Sequence, residues 1–359
     1  MDLEARRRTL AVVQNPPNPW PAATVDWLGE PPEVELQVFE DQSRSILSKN
    51  DSPDIPFTYS VNPYRGCYHG CAYCYARPSH QYLDFGAGTD FERKLVVKKD
   101  AAALLRAAFE KPSWEGATIA FSGNTDCYQP LEVSLGLTRA CLEVCLEYRN
   151  PVQLITKSTV IERDVALLAE LGRVASAPVR VSIPFWDPEV ARAMEPYAPR
   201  PARRIETIRR LAEAGVSVGV NVAPIIPGLS DVDAPQILEA ARAAGATHFG
   251  MTMLRLPGPV EEVFVSRLRG LLPLKAERVL SQIEACRGGK RTEGRFGARM
   301  RGEGPRWDAI FALVSGAARR LGYQDTPAAP HPSTFRRKPR PVAQLSLFGA
   351  SPRGSADGE

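Results

Sequence analysis

The sequence predicts an α/β fold of six strand-helix units around a mainly parallel sheet, either a partial or complete barrel or a doubly wound sheet, ending in a helical cap. From about residue 57, short β-branched or apolar runs alternate with longer segments of helical spacing. Repeated strand, helix, strand connections pair strands in parallel and place helices outside. Loops rich in polar residues, Gly and Pro follow the strands, at the carboxyl ends where both architectures collect their chemistry.

Strands are read at FTYSV (57–61), TIAFS (118–122), VQLIT (152–156), VRVSI (179–183), VGVNVAPII (218–226) and HFGMTML (248–254). Between them, Leu137, Cys141, Val144, Cys145 and Tyr148 mark one helical face, and Ile205, Ile208, Leu211 and Ala212 another. Residues 1–50, with NPPNPWPAA and GEPPE, are expected to form an extended lead-in to a core over 51–260. Residues 261–325 are expected to form the cap, with helices near 275–287 and 305–321. Residues 326–359 have the composition of a disordered tail.

A chain of 359 residues, 44% of them hydrophobic, carries enough apolar surface for one large core. With 45 basic against 41 acidic residues the net charge of +4 does not by itself imply nucleic acid, which takes clustered cations. No apolar run reaches membrane-spanning or signal-peptide length, so a cytoplasmic protein without membrane contact is expected. Seven cysteines, three of them within eight residues, suit a metal site in a reducing compartment better than a disulfide framework.

Those three stand in NPYRGCYHGCAYCYARPSH, where Cys67, Cys71 and Cys74 form a C-x3-C-x2-C array and Gly66 and Gly70 allow tight turns. Clusters are usually held by four thiolates, so three leave one iron open to a ligand that is not protein. Zinc is the alternative, because His80 could complete a Cys3His set. His69 reads as a solvated loop residue.

The array, with the aromatic Tyr73 before its last cysteine, resembles the signature of the radical SAM superfamily. The resemblance implies a partial (β/α)6 TIM-like barrel. It further implies a 4Fe-4S cluster on Cys67, Cys71 and Cys74, with S-adenosylmethionine (SAM) bound at the open iron and cleaved to a 5′-deoxyadenosyl radical. An external electron donor such as flavodoxin or ferredoxin would then be needed. In such proteins the turn after the second strand receives the SAM amino group, which marks Ser122, Gly123, Asn124, Thr125 and Asp126 here. Ser182, Glu195 and Asn221 lie after later strands, where the ribose and methionine carboxylate are usually met; a helix cap or a buried hydrogen-bonding partner would explain them as well.

NPYRGC, CYARPSH, DFERKLVVKK, TDCYQPLE, LITKS and VAPIIPGLSD together resemble a subgroup related to spore photoproduct lyase, over about residues 45–322. The chain departs from that subgroup at Cys127, where proline is usual. A thiol there could donate a hydrogen atom, or could simply fill apolar space. Cys141 and Cys145 read as core residues, and Cys286 has no partner by spacing.

In the tail, QLSLF resembles the peptide by which bacterial proteins dock on the DNA sliding clamp. Leu345, Leu347 and Phe348 would fill an apolar pocket while Gln344 bonds at its rim. Arg336, Arg337, Lys338 and Arg340 precede it as a basic run suited to DNA. Three functions are therefore expected as alternatives: a radical SAM enzyme acting on DNA by lesion repair or modification, one acting on a protein or small molecule, and a zinc-stabilised adaptor without catalysis.

Overall fold

The computed structural model describes residues 36–337. Its strands are β1 (Gln37–Glu40), β2 (Leu47–Lys49), β3 (Tyr59–Val61), β4 (Tyr64–Arg65), β5 (Lys94–Val97), β6 (Ile119–Phe121), β7 (Val152–Thr156), β8 (Val179–Ser182), β9 (Val218–Ile225) and β10 (His248–Met253). All six expected strands are present, as β3 and β6 to β10. They lie side by side in chain order and in parallel, with β2 added antiparallel to β3. That order decides between the two expected architectures. A doubly wound sheet reverses direction at its centre, whereas this one is wound one way only, as a barrel is.

Alternation along each strand separates two faces. Val179 and Val181 of β8, with Val218, Val220 and Val222 of β9, join Leu142, Leu168, Ile208 and Leu238 of the outer helices in the main core. These valines are β-branched and suit a strand buried under helices. Arg180, Ser182 and Asn221 point the other way, into a polar lumen. The sheet edges meet across its mouth: Arg299, in the loop after helix Pro273–Ala285, donates to Asp54 at 2.6 Å in the loop joining β2 to β3. Met253 of β10 donates its backbone N–H to the Met300 carbonyl, so that loop belongs to the β10 side of the opening.

Two expectations about the ends are corrected. Within the supposed lead-in, β1 pairs with β5, and β2 pairs with β3. Sequence punctuation hid them because each is only three or four residues long and flanked by polar turns. Nor does the described part of the tail hang free. Gln324 bridges to His248 at the start of β10, Thr326 accepts from Arg180 of β8, and Ser333 donates to the Gly116 carbonyl before β6 at 2.6 Å. Phe335 packs against Phe109 and Tyr148, and Arg337 donates to the Phe109 and Lys111 carbonyls. Residues 324–337 thus strap the amino-terminal end of the barrel, and Arg337 of the basic run serves packing. Phe335→Ala is expected to cost about 1–3 kcal/mol, because the ring is only half-buried. Chemical denaturation, with proteolysis of the strap as a second readout, checks it. Lys338, Arg340 and QLSLF lie outside the described residues.

Of the helices expected to form the cap, Pro259–Leu271 and Pro273–Ala285 pack on each other in a second apolar cluster, whereas Gly304–Arg320 packs on helix Ala234–Ala243 and joins the main core. Among the described residues no helix is long and apolar enough to cross a membrane.

Candidate active site

The cysteine loop leaves β4 at Gly66, whose φ of +74° lies in the left-handed region; a Cβ there would meet Leu95 at 2.8 Å and the Phe91 carbonyl at 2.9 Å. Only glycine fits. Cys67 N–H bonds the Phe91 carbonyl at 2.9 Å and Ala72 N–H the Met194 carbonyl at 2.8 Å, anchoring the loop on two sides. Arg77, fully buried, donates to the carbonyls of Cys71, Ala87 and Gly88, the last two at 2.9 Å. The Glu92 carboxylate accepts from both Arg77 and Arg267, and Arg267 also donates to the Gly70 carbonyl. Two buried guanidiniums sharing one carboxylate therefore fasten the loop's backbone.

Cys67 and Cys71 are buried and Cys74 half-buried. Burial raises all three thiol pKa values. Asp126 and the other two thiols add to it at Cys67, and Cys71 is pushed up to about 12 against the pull of Lys157. The three sulfurs therefore lie close enough to work against one another's charge. Such thiols ionise only when a cation replaces the lost solvation, as cluster iron does. The Cys3His alternative fits less well. His80 has its Nε2 on the Lys94 carbonyl at 2.7 Å and its ring beside Phe85 and Phe91, and burial lowers its pKa to about 4. Among the described residues no three His, Cys, Asp or Glu side chains converge to chelate one ion. A cubane makes no such demand, because each thiolate takes a separate iron.

The turn after β6 is tied to this loop throughout. Ser122 holds a positive φ of 68°, a strained setting for a residue with a side chain, and its Oγ accepts from Cys127 N–H at 2.9 Å. Tyr75 OH donates to the Gly123 carbonyl at 3.1 Å, and Asn124 donates to Ser79 at 3.2 Å. Thr125 donates to the Tyr64 carbonyl and accepts from Asn62. Asp126 accepts from Thr156 at 2.7 Å and from Lys157 N–H at 2.8 Å, with His69 Nδ1 3.4 Å away. Burial raises its pKa, but His69 and these donors outweigh burial and hold the carboxyl near 2. Its contribution to stability is therefore present above the ordinary carboxylate range and lost as pH falls through about 2. His69, expected in solvent, is 2% exposed because it spans from the cysteine loop to this carboxylate.

Ser182 of β8 and Asn221 of β9 are register partners, and Asn221 faces Gly250 of β10 in turn. A Cβ on Gly250 would stand 2.6 Å from Asn221 Oδ1, so the glycine gives that amide its room in the lumen. Glu195 is placed differently. One carboxylate oxygen accepts from Tyr73 OH and the other from Arg204, all three side chains being buried. Its oxygens thus hold Tyr73, next to Cys74, rather than standing free for a ligand.

Sequence reading missed Lys157, although it directly follows β7. Its ammonium lies 5.6 Å from the centre of the Tyr73 ring, and among the described residues it has no ion pair. Burial works against its charge, but Cys71 and Glu195 outweigh it and hold the pKa above the usual lysine value.

The hydrogen-donor role for Cys127 is corrected. Its side chain is 0% exposed within the main core, beside Val61 and Phe121, and burial pushes its pKa well up. A donor must reach the reacting carbon, and this thiol is enclosed in the core with Ser122 as its hydrogen-bond partner. Cys141 and Cys145 are core residues as expected. Cys127→Ala is expected to leave the yield of 5′-deoxyadenosine within about twofold while lowering stability by about 1–2 kcal/mol. Product quantified after anaerobic turnover, beside a denaturant melt, checks both.

A singly wound α/β barrel with three cysteines, two buried and one half-buried, on the loop after its first strand defines the class: an α/β barrel with a thiol-rich site at its mouth. The chain belongs to the radical SAM superfamily, whose family model matches residues 61–241, half of its length. An uncharacterised protein of Mycobacterium tuberculosis (strain H37Rv) is 40% identical over 62% of this chain and 66% of its own length, just under two thirds. An uncharacterised protein of Methanocaldococcus jannaschii is 30% identical over 49% of this chain and 63% of its own. Spore photoproduct lyase, solved with AdoMet and a dinucleoside spore photoproduct, superposes with a TM-score of 0.57 over 83% of this chain and 84% of that one. At 18% identity this establishes a shared fold.

Proposed function

We propose that this chain holds a 4Fe-4S cluster on Cys67, Cys71 and Cys74, binds SAM beside it, and directs a 5′-deoxyadenosyl radical at DNA. The observation that carries the reading is the set of three thiols on one loop, two buried and one half-buried, clamped by Arg77, Glu92 and Arg267, in a radical SAM chain. When bound, the cluster would pass an electron from a donor such as flavodoxin or ferredoxin into the sulfonium C–S bond of SAM. The chain's own residues supply binding and shelter. Backbone groups of Ser122, Gly123, Asn124, Thr125 and Asp126 line the mouth beside the cysteine loop, for the amino group of SAM. Lys157 stands ready for its carboxylate. Ser182 and Asn221 offer hydrogen bonds deeper in the lumen, for the ribose. Tyr73, fixed by Glu195, walls the thiols from water.

DNA as substrate, through lyase-type lesion repair or modification, rests on the shared fold with a lyase whose bound ligand is a dinucleoside photoproduct. Gln344, Leu345, Leu347 and Phe348 would recruit the enzyme to the sliding clamp in the cytoplasm, which Phe348→Ala pull-downs with the clamp test directly. The main experiment is anaerobic reconstitution with iron, sulfide, SAM and a reductant. Formation of 5′-deoxyadenosine, carrying deuterium from labelled lesion-bearing DNA, is the expected result. Product without label from any DNA would remove the substrate and keep the chemistry; a colourless protein with one zinc would remove both.

A further inference from the structure

At the mouth of the barrel, one guanidinium is short of acceptors. Arg255 follows β10, and its Nε is buried without any hydrogen-bond partner. Among the described residues, the one hydrogen bond of its five N–H donors is from Nη1 to the thioether of Met300, 3.7 Å away and weak. Its carbon centre lies 5.8 Å from the middle of the Tyr75 ring, and Tyr75 directly follows Cys74. A second cation, Arg299, is close enough to work against its charge, and a single carboxylate, Asp54, serves both. Burying one N–H of the guanidinium without an acceptor is costly, and like charges side by side add to the cost. Both costs vanish when an anion with several oxygens enters.

The surroundings say which anion. The loop from Arg287 to Arg306 carries seven Lys and Arg against Glu293 and Glu303. Lys290 and Arg301 are exposed and have no ion pair among the described residues. Phe296 is 61% exposed, with the Arg299 guanidinium 4.4 Å from its ring centre. Cations spaced along one loop and an exposed ring between them suit a polyanion whose phosphates are repeated and whose bases stack. A small carboxylate would engage one of these groups and leave the rest idle.

We propose that Arg255 and Arg299 form a phosphate-binding pair beside the cysteine loop, and that Lys290, Arg301 and Phe296 extend it into a track for the DNA strand carrying the reacting nucleotide. This rests on the DNA reading above and names the surface that reading requires. Lys290 and Arg301 reach the flanking phosphates, while Phe296 stacks on a neighbouring base.

The test is equilibrium binding of reconstituted holoprotein to fluorescent single-stranded and duplex DNA over a salt series. Lys290→Ser with Arg301→Ser removes two surface cations that hold no internal contact, so folding is not at risk. The slope of log affinity against log salt is expected to fall by about two. Arg255→Met should weaken binding about tenfold, with cluster colour retained as the check on folding. Phe296→Ala should weaken single-stranded DNA more than duplex. If the parent binds DNA and all variants match it, the track is overturned and DNA as substrate stands. If the parent binds no DNA, the DNA reading itself falls, and the track with it. Preference for RNA of the same sequence would also overturn it.

Discussion

Cys71→Ala is expected to yield a folded, colourless protein that makes no 5′-deoxyadenosine above background. The change removes one of three thiolates from a set that already leaves an iron open, and two thiolates from one loop do not hold a cubane. Collapse of the fold is not the cause. The residue is buried, but replacing a thiol by hydrogen removes one heavy atom, at a cost of about 1–2 kcal/mol. Cys141→Ala supplies the contrast. That thiol is also buried, in the helix Leu137–Glu147, and its loss should bring a similar destabilisation with full colour and full product. Iron and sulfide analysis, absorbance under argon and chromatography of the nucleoside separate the two. Colour and product retained by Cys71→Ala would end the cluster assignment; colour lost in both would mean that stability, not ligation, controls loading.

Much of this was legible in the sequence, and the reasons differ by element. The six core strands stood out because each pairs β-branched residues with a polar turn at its carboxyl end, as VRVSI and VQLIT do. The three cysteines stood out because their spacing is short and their loop is rich in glycine. What stayed hidden depends on contacts between segments far apart in the chain. His69 read as solvated because nothing local shows that Asp126, 57 residues on, lies beside it. Glu195 read as a ligand contact because its loop position is right, yet Tyr73 and Arg204 from two other segments take both oxygens. The strap read as disordered because Pro and Arg dominate it; its order comes from Phe335 and from carbonyls that Arg337 finds around Trp114. Lys157 carries no spacing signal at all. Its meaning lies in the neighbours of its ammonium, Tyr73, Cys71 and Glu195, which only packing brings together.

The same dependence on distant partners sets the other large effect, at Glu92. Glu92, in the DFERK segment, is 4% exposed and is the shared counter-ion of Arg77 and Arg267, themselves buried. Glu92→Ala leaves two guanidiniums in a dry interior with only carbonyl acceptors. Breaking a buried pair in this way costs about 3–5 kcal/mol, because the stranded charge keeps its desolvation penalty and loses its partner. The melting temperature is expected to fall by on the order of 5–10 °C in a chain of this size. A functional effect should follow from geometry. Arg77 and Arg267 both hold the Gly70 carbonyl, so without Glu92 they are free to turn and the loop loses its anchor. Cluster occupancy should fall about 10-fold or more, in the range seen when groups supporting metal ligands are lost. Glu92→Gln keeps one acceptor oxygen and should recover part of both effects. Melting curves and iron content, read on all three proteins, decide it. An alanine variant as stable and as brown as the parent would mean that the two arginines stabilise the loop through its carbonyls alone.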